Sequence, residues 1–257
     1  MDLIKYHVEN RVAYISLNRP EKRNALNPDL VNSLSSAFSK AKLDDSVKVI
    51  VLNAVGNVFS AGADLAYLQQ LQQNTFDENI ADSSALKDLF YSIYSSPKAV
   101  IGQVEGHAIA GGCGLVSVCD IIFSVPEAKF GYTEVKIGFI PALVACFLVR
   151  KTGEARTKEL LLSGELIDAT TASAYGLINF IVEKEAIAGS VKKYAEKLSG
   201  ETSAQSVSLT KQLINMAQNL PLEASLDQAV RLNATARATE DCKRGISAFL
   251  NKEKIIW

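Results

Sequence analysis

Two short runs of small residues hold the chemical interest of this chain. They are Phe59-Ser60-Ala61-Gly62-Ala63-Asp64 and Gly106-His107-Ala108-Ile109-Ala110-Gly111-Gly112-Cys113-Gly114. Each follows an apolar, strand-like run and leads into a helix-like one. Turns of this kind present backbone N–H groups outward, because the start of a helix leaves them unpaired. One such turn is commonplace. Two of them, about 48 residues apart, can converge on one oxygen. The reaction class this names is one in which a carbonyl oxygen gains negative charge.

Glu134 is the acid/base candidate. It stands between Gly131-Tyr132-Thr133 and Val135-Lys136-Ile137-Gly138-Phe139-Ile140-Pro141. Apolar neighbours desolvate a carboxylate and raise its pKa toward the range of a proton donor. The same glutamate could instead be a surface residue paired with Lys136, or a helix cap after Thr133. Tyr132, His107 and Glu105 are possible helpers. His107 reads first as a packed or hydrogen-bonded histidine. Cys113 reads as a small helix-packing residue rather than half of a Cys113–His107 dyad.

These groups need elements to position them. Residues 4–8 and 12–17 predict a hairpin, with Glu9-Asn10-Arg11 at its turn. Asn27 as N-cap and Pro28 at the first position predict a helix. Leu30, Val31, Leu34, Ala37, Phe38 and Ala41 keep its spacing. Stretches 47–52, 99–104 and 120–125 read as strands. Asp64 opens a short helix and Gly111 begins another. The polar, Gln/Asn-rich residues 69–85 read as a mobile loop or frayed helix over the site. From Arg156 helices dominate, at 185–198, 204–219, 222–239 and 241–250. Repeated β-β-α units thus give way to a helical tail, with no Gly/Ser or Pro-rich linker between them. The expected organisation is a spiral α/β core over residues 1–199 and a helical region over 200–257.

With 257 residues, 48% hydrophobic and 21% charged, the chain matches a soluble globular protein with a sizeable core. A net charge of −1 gives no reason to expect nucleic acid. The basic pairs Lys22-Arg23, Arg150-Lys151, Lys243-Arg244 and Lys252/Lys254 read as solvated surface. Four cysteines without CxxC spacing read as reduced, mostly buried thiols of a cytoplasmic protein. Two histidines are too few for a structural zinc site, so no metal is expected. The first ten residues alternate like a strand and carry Asp2 and Glu9, unlike a signal or transit peptide. The longest nearly apolar run, 138–149, is too short to span a bilayer and contains Pro141. The sequon Asn233-Ala234-Thr235 carries no weight without a secretory signal.

Several motifs in order resemble the crotonase (enoyl-CoA hydratase/isomerase) superfamily. They are Asn18-Arg19-Pro20-Glu21-Lys22-Arg23-Asn24-Ala25-Leu26-Asn27, Ser60 to Asp64, Gly111-Gly112-Cys113, Cys119-Asp120-Ile121, Phe130-Gly131, Glu134 to Pro141, and Ala248-Phe249-Leu250-Asn251-Lys252. The resemblance covers nearly the whole chain. It implies a crotonase-like spiral of β-β-α units with a helical C-terminal trimerisation region, in trimers that often pair into hexamers. It implies that the Ala63 and Gly111 N–H groups form the oxyanion hole and that Glu134 is the acid/base. An acyl-CoA thioester would be held around Asn24, Ala25, Leu26, Ala61, Asp64 and Leu65, with Gly112, Gly114 and Tyr132 beside it. Lys22 or Arg23, and a neighbouring subunit's Lys252, would meet its phosphates, and Phe249 would line the pocket mouth or else pack in the core. No cofactor is implied beyond the coenzyme A of the substrate.

Two positions depart from the family pattern. Two-glutamate hydratases carry a glutamate where this chain has Gly114, and many members have a glycine-rich stretch where it has Ala142-Leu143-Val144-Ala145-Cys146. Both departures look most like bacterial methylglutaconyl-CoA hydratases of leucine breakdown. The resemblance therefore implies hydration of a short, branched 2-enoyl-CoA such as 3-methylglutaconyl-CoA. Glu134 alone would also suffice for an enoyl-CoA isomerase or an acyl-CoA decarboxylase. A non-catalytic scaffold that binds acyl-CoA or associates with RNA is the reading from another class.

Overall fold

A computed structural model describes residues 2–257. Met1, at the head of the N-terminal stretch, lies outside the described residues. The chain opens with β1 (Ile4–Glu9) and β2 (Val12–Leu17), an antiparallel hairpin. Its turn residues Asn10 and Arg11 have φ of 48° and 66°, the doubly left-handed turn that suits strand twist. A 3-10 turn, Pro20–Lys22, leads to α1 (Pro28–Leu43), where Asn27 Oδ1 accepts from the Leu30 N–H at 3.0 Å.

Three β-β-α repeats follow. The first is β3 (Val49–Ala54), β4 (Val58–Ser60) and the helices α2 (Leu65–Leu71) and α3 (Phe76–Tyr94). The second is β5 (Ala99–Val104), β6 (His107–Ile109) and α4 (Gly111–Ser117). The third is β7 (Ile121–Ser124), β8 (Lys129–Gly131), a 3-10 turn (Glu134–Ile137) and α5 (Ala142–Ser163), which breaks at Gly153. In each repeat the first strand joins a six-stranded sheet, ordered β1-β2-β3-β5-β7-β10. The second strand joins a four-stranded sheet, ordered β4-β6-β8-β9. The later elements are β9 (Ile167–Asp168), α6 (Ala169–Ala174), β10 (Phe180–Ile181) and α7 (Lys184–Glu201). Strands β2, β3, β5, β7 and β10 run parallel. Parallel strands covered on both faces read as continuous apolar runs, and every residue of β5 is buried.

The tail comprises α8 (Ala204–Ala217), α9 (Leu222–Ala238) and α10 (Glu240–Leu250). α7 buries Ile187, Val191 and Ala195 against the sheet and runs on to Glu201, just past the expected boundary at 199. The tail helices bury almost nothing within one chain: none of α8, only Ser225 of α9 and only Ala248 of α10.

Two expectations need correction. Most of residues 69–85 is regular helix, the end of α2 and the first half of α3. The reason is local: Thr75 and Glu78 form a reciprocal capping box that starts α3. The four cysteines are unpaired, but only Cys113 and Cys119 are buried; Cys146 is exposed and Cys242 intermediate.

Candidate active site

The short strands of the second sheet bring the two small-residue turns together. β4 and β6 run parallel, and their ends lead to Ala61–Asp64 and to Ala110–Gly111. Gly62, at φ +88°, sits against the second turn: a Cβ there would come within 2.8 Å of Ala110 Cβ and 3.7 Å of Gly111 N. Only glycine fits that approach. Among the described residues, neither the Ala63 nor the Gly111 N–H has a hydrogen-bond partner. Ala63 is exposed and Gly111 half-buried, so a ligand oxygen can reach both.

The first turn is pinned from below. Leu26 bridges to Ala63, its N–H donating to Gly62 O at 2.6 Å and its carbonyl accepting from Asp64 N at 2.9 Å. The Ala61 N–H donates to Arg23 O at 3.0 Å. Ser60 Oγ donates to Asn24 O, and Asn24 Nδ2 reaches the carbonyls of Val55 and Val58. Asp64 caps α2 through the Ala66 N–H at 2.8 Å and pairs with Arg19 at 2.6 Å. Burial alone would raise the Asp64 carboxyl; the Arg19 guanidinium and the Ala66 and Tyr67 N–H groups outweigh it and hold it low.

The second turn is held by strain and close packing. Ala110 adopts φ 50° and ψ −126°, a left-handed conformation costing a non-glycine residue about 1–3 kcal/mol. Its N–H donates to Gly131 O at 2.8 Å and its carbonyl accepts from Gly114 N at 2.9 Å. This twist orients the amide of Gly111. Gly112 lies on Ser60, where a Cβ would meet Ser60 O at 2.6 Å. Gly114 faces Val144 Cγ1 and Phe90 Cζ, at 2.6 Å and 2.8 Å from a built Cβ. A side chain at position 114 would require Val144 or Phe90 to shift.

Glu134 opens the 3-10 turn. Its Oε2 is buried and has no hydrogen-bond partner. Burial pushes its pKa up, opposed only by its own backbone N–H. Lys136 pairs with Glu165 at 2.7 Å instead, and the Thr133 side chain caps nothing, so both bland uses of Glu134 fall away. Tyr132 is fully buried, its hydroxyl 3.5 Å from the Cys113 carbonyl. It packs beneath α4, and solvent does not reach it. His107 Nδ1 accepts from the Lys129 N–H at 3.1 Å. Cys113 is sealed in the core, its thiol pushed up to about 12 by burial, so no nucleophilic dyad exists.

The structure thus gathers Arg23, Ala25, Leu26, Ala61, Ala63, Asp64, Gly111 and Gly112 around one place. Asp64, Gly112, Gly114 and Tyr132 support that place from within. Lys22, Arg23 and Leu65 stand exposed at its edge. Phe249 and Lys252 are not joined to it: α10 packs on α9 and α8, and Phe249 is 83% exposed. Asn24, expected beside coenzyme A, instead braces the first turn through its side chain. Arg19, Ser60 and Ala110 carry no site role in the sequence reading; the first two lie within family motifs, but the Arg19–Asp64 contact leaves no trace in spacing. Two clefts of about 390 and 530 Å³ open beneath α8, against residues 47–49 and 97–99 and the end of α3. Neither is lined by the turns or by Glu134, so they are gaps between core and tail rather than this site. Among the described residues no cluster of metal-ligating side chains occurs, and no helix is long and apolar enough to cross a membrane.

The sequence profile of the enoyl-CoA hydratase/isomerase family matches residues 7–257. A Thermus thermophilus protein whose name includes enoyl-CoA hydratase is 41% identical over 244 residues, covering 95% of this chain and 96% of its own. A crotonyl-CoA hydratase of Syntrophomonas wolfei is 32% identical over 252 residues, covering 96% and 94%. Among solved structures, an enoyl-CoA hydratase of Mycobacterium smegmatis superposes with a TM-score of 0.93 at 28% identity, covering 99% and 98%.

Proposed function

This chain belongs to the enoyl-CoA hydratase/isomerase family of enzymes, and we propose that it hydrates a short, branched 2-enoyl-CoA such as 3-methylglutaconyl-CoA. The observation that carries the reading is the pair of unpartnered N–H groups, Ala63 and Gly111, in one fold with Glu134, whose Oε2 is buried and unpartnered. In the proposed reaction the thioester oxygen sits between the two N–H groups. Water adds at C3, and the π electrons move onto that oxygen as an enolate. Each donor is worth on the order of 3 kcal/mol at this stage. Glu134 delivers a proton to C2 and regains one from the proton that water loses. Desolvation of Glu134 favours its protonated form, which suits the donor role.

Coenzyme A would lie along residues 24–26 and 61–65, with Lys22 and Arg23 toward its phosphates. Phe249 and Lys252 would act from a neighbouring copy in a trimer or a dimer of trimers, as their exposure and distance in sequence from the turns suggest. Four unpaired cysteines suit a reducing compartment such as the cytoplasm.

A second reading has one observation in its favour. Phe90 and Val144 fill the place of a second carboxylate, and one carboxylate suffices to move a proton between C2 and C4. That reaction is isomerisation, without water. The deciding experiment incubates the protein with 3-methylglutaconyl-CoA and with crotonyl-CoA. It follows loss of the conjugated thioester absorbance and the mass of the product. Gain of one water, faster on the branched acidic substrate, supports the proposal. Migration of the double bond from C2 to C3 in either substrate, with no gain in mass, replaces it with the isomerase.

A further inference from the structure

We propose that Lys151 is a positioning residue for the oxyanion-stabilising turn, because its ammonium ties down the far end of the helix that begins at Gly111. The inference rests on the reading of Ala63 and Gly111 as oxyanion donors. α4 has only seven residues, about 10 Å of helix, so a tilt at one end displaces the other. Lys151 Nζ donates to Cys119 O at 2.6 Å and reaches Ser117 O at 3.4 Å. Those carbonyls lie at the C-terminal end of α4, where a helix leaves acceptors unpaired. Val144, seven residues earlier and so on the same face of α5, meets α4 at Gly114. α5 therefore grips α4 at two levels, an apolar contact midway and an ammonium at the end. The opposite end is fixed by the Ala110–Gly131 hydrogen bond and by Gly112 on Ser60.

The charges around Lys151 come from several elements. Asp120, next to the capped carbonyl, accepts from Lys211 of α8 at 2.7 Å and from the Val100 N–H of β5 at 2.7 Å. The nearby thiols of Cys119 and Cys113 are held up at about 12 by burial and stay uncharged where Lys151 titrates. Burial lowers the Lys151 pKa to about 8; the Asp120 carboxylate opposes that shift and Lys211 adds to it. Above that pH the capping group loses its charge and its grip on the carbonyls weakens.

The test compares wild type, Lys151→Met and Lys151→Arg. Turnover is measured from about pH 7 to about pH 9.5, across the range where Lys151 titrates. The 13C resonance of the carbonyl of bound [1-13C]butyryl-CoA, which reports the two N–H donors without turnover, is recorded alongside. Expected is a kcat loss of about 10- to 100-fold in Lys151→Met, with KM little changed and the carbonyl resonance moved back toward its free position. Lys151→Arg restores most of kcat and, staying charged, removes the alkaline fall that wild type shows. Should Lys151→Met not fold, the alkaline limb in wild type and its absence in Lys151→Arg still decide. Wild-type kcat and carbonyl shift in Lys151→Met, or an identical alkaline limb in wild type and Lys151→Arg, overturns the proposal alone. Absence of any carbonyl shift in wild type overturns the oxyanion reading, and this proposal with it.

Discussion

A carboxylate oxygen inside a protein without a hydrogen-bond partner lowers stability, and Glu134 Oε2 is one. The cost makes sense if a substrate proton is its partner during reaction. Glu134→Gln should cut turnover by at least about 100-fold while leaving the fold intact, and should raise the unfolding temperature at neutral pH. The native pKa is raised, so the native state holds this proton more tightly than the unfolded chain does. Stability therefore falls as pH rises from the ordinary carboxyl range through the raised value. The gain of Glu134→Gln over wild type should be full above that value and vanish below about pH 4.5, the ordinary glutamate range. Thermal unfolding from pH 4 upward checks this, and a variant that keeps wild-type turnover would remove Glu134 from the reaction.

At the scale of elements, the site depends on how closely α4 approaches its neighbours. Gly114→Ala places a Cβ 2.6 Å from Val144 Cγ1, so Val144 or Phe90 must shift. Overpacking of this kind costs about 1–3 kcal/mol. Denaturant unfolding should show that loss, accompanied by lower activity as α4 moves off α5. An unchanged midpoint would mean that the contact relaxes freely. At the start of α3, Thr75→Val removes one half of the capping box and should cost about 1 kcal/mol. Amide exchange in the first turn of α3 should speed up while the turns at Ala63 and Gly111 remain protected. This pair also shows what was missed at residues 69–85: polar composition left a mobile loop or a frayed helix open, but the Thr75-to-Glu78 spacing already encoded a helix start.

The whole molecule looks incomplete as a single chain. On α9, Leu222, Leu226 and Val230 are 76%, 57% and 69% exposed at helical spacing, and Ile246, Phe249 and Leu250 on α10 are exposed as well. Such contiguous apolar surface marks an interface. Light scattering should give three or six times the 27.8 kDa chain mass. Leu226→Asp with Val230→Asp should shift the protein to smaller species and, if Phe249 and Lys252 act across the interface, raise KM. A wild-type monomer with full activity would show that the tail serves one chain alone.

Much of this protein was legible in its sequence, because the signals were local. The hairpin at Asn10-Arg11, the Asn27 cap, the strand at 99–104, the helix start at Gly111 and most tail helices followed from periodicity, caps and turn residues within a few positions. So did the small-residue turns, since only glycine and alanine allow so close an approach. The burial of Glu134 could not be read from its sequence neighbours, since Ile137, Phe139 and Ile140 are exposed. Other features depended on residues far apart in the chain and had no local signature. The three-residue strands β4, β6 and β8 are too short for a periodic pattern, yet their pairing sets the two turns side by side. Arg19 finds Asp64, Phe90 and Val144 close over Gly114, and Lys151 caps α4 only after the repeats have stacked. Composition and spacing determined which chemistry was available. Tertiary packing decided that Asp64 is paired with Arg19 while Glu134 keeps a buried, unpartnered oxygen, because packing removes water and assigns partners between distant residues.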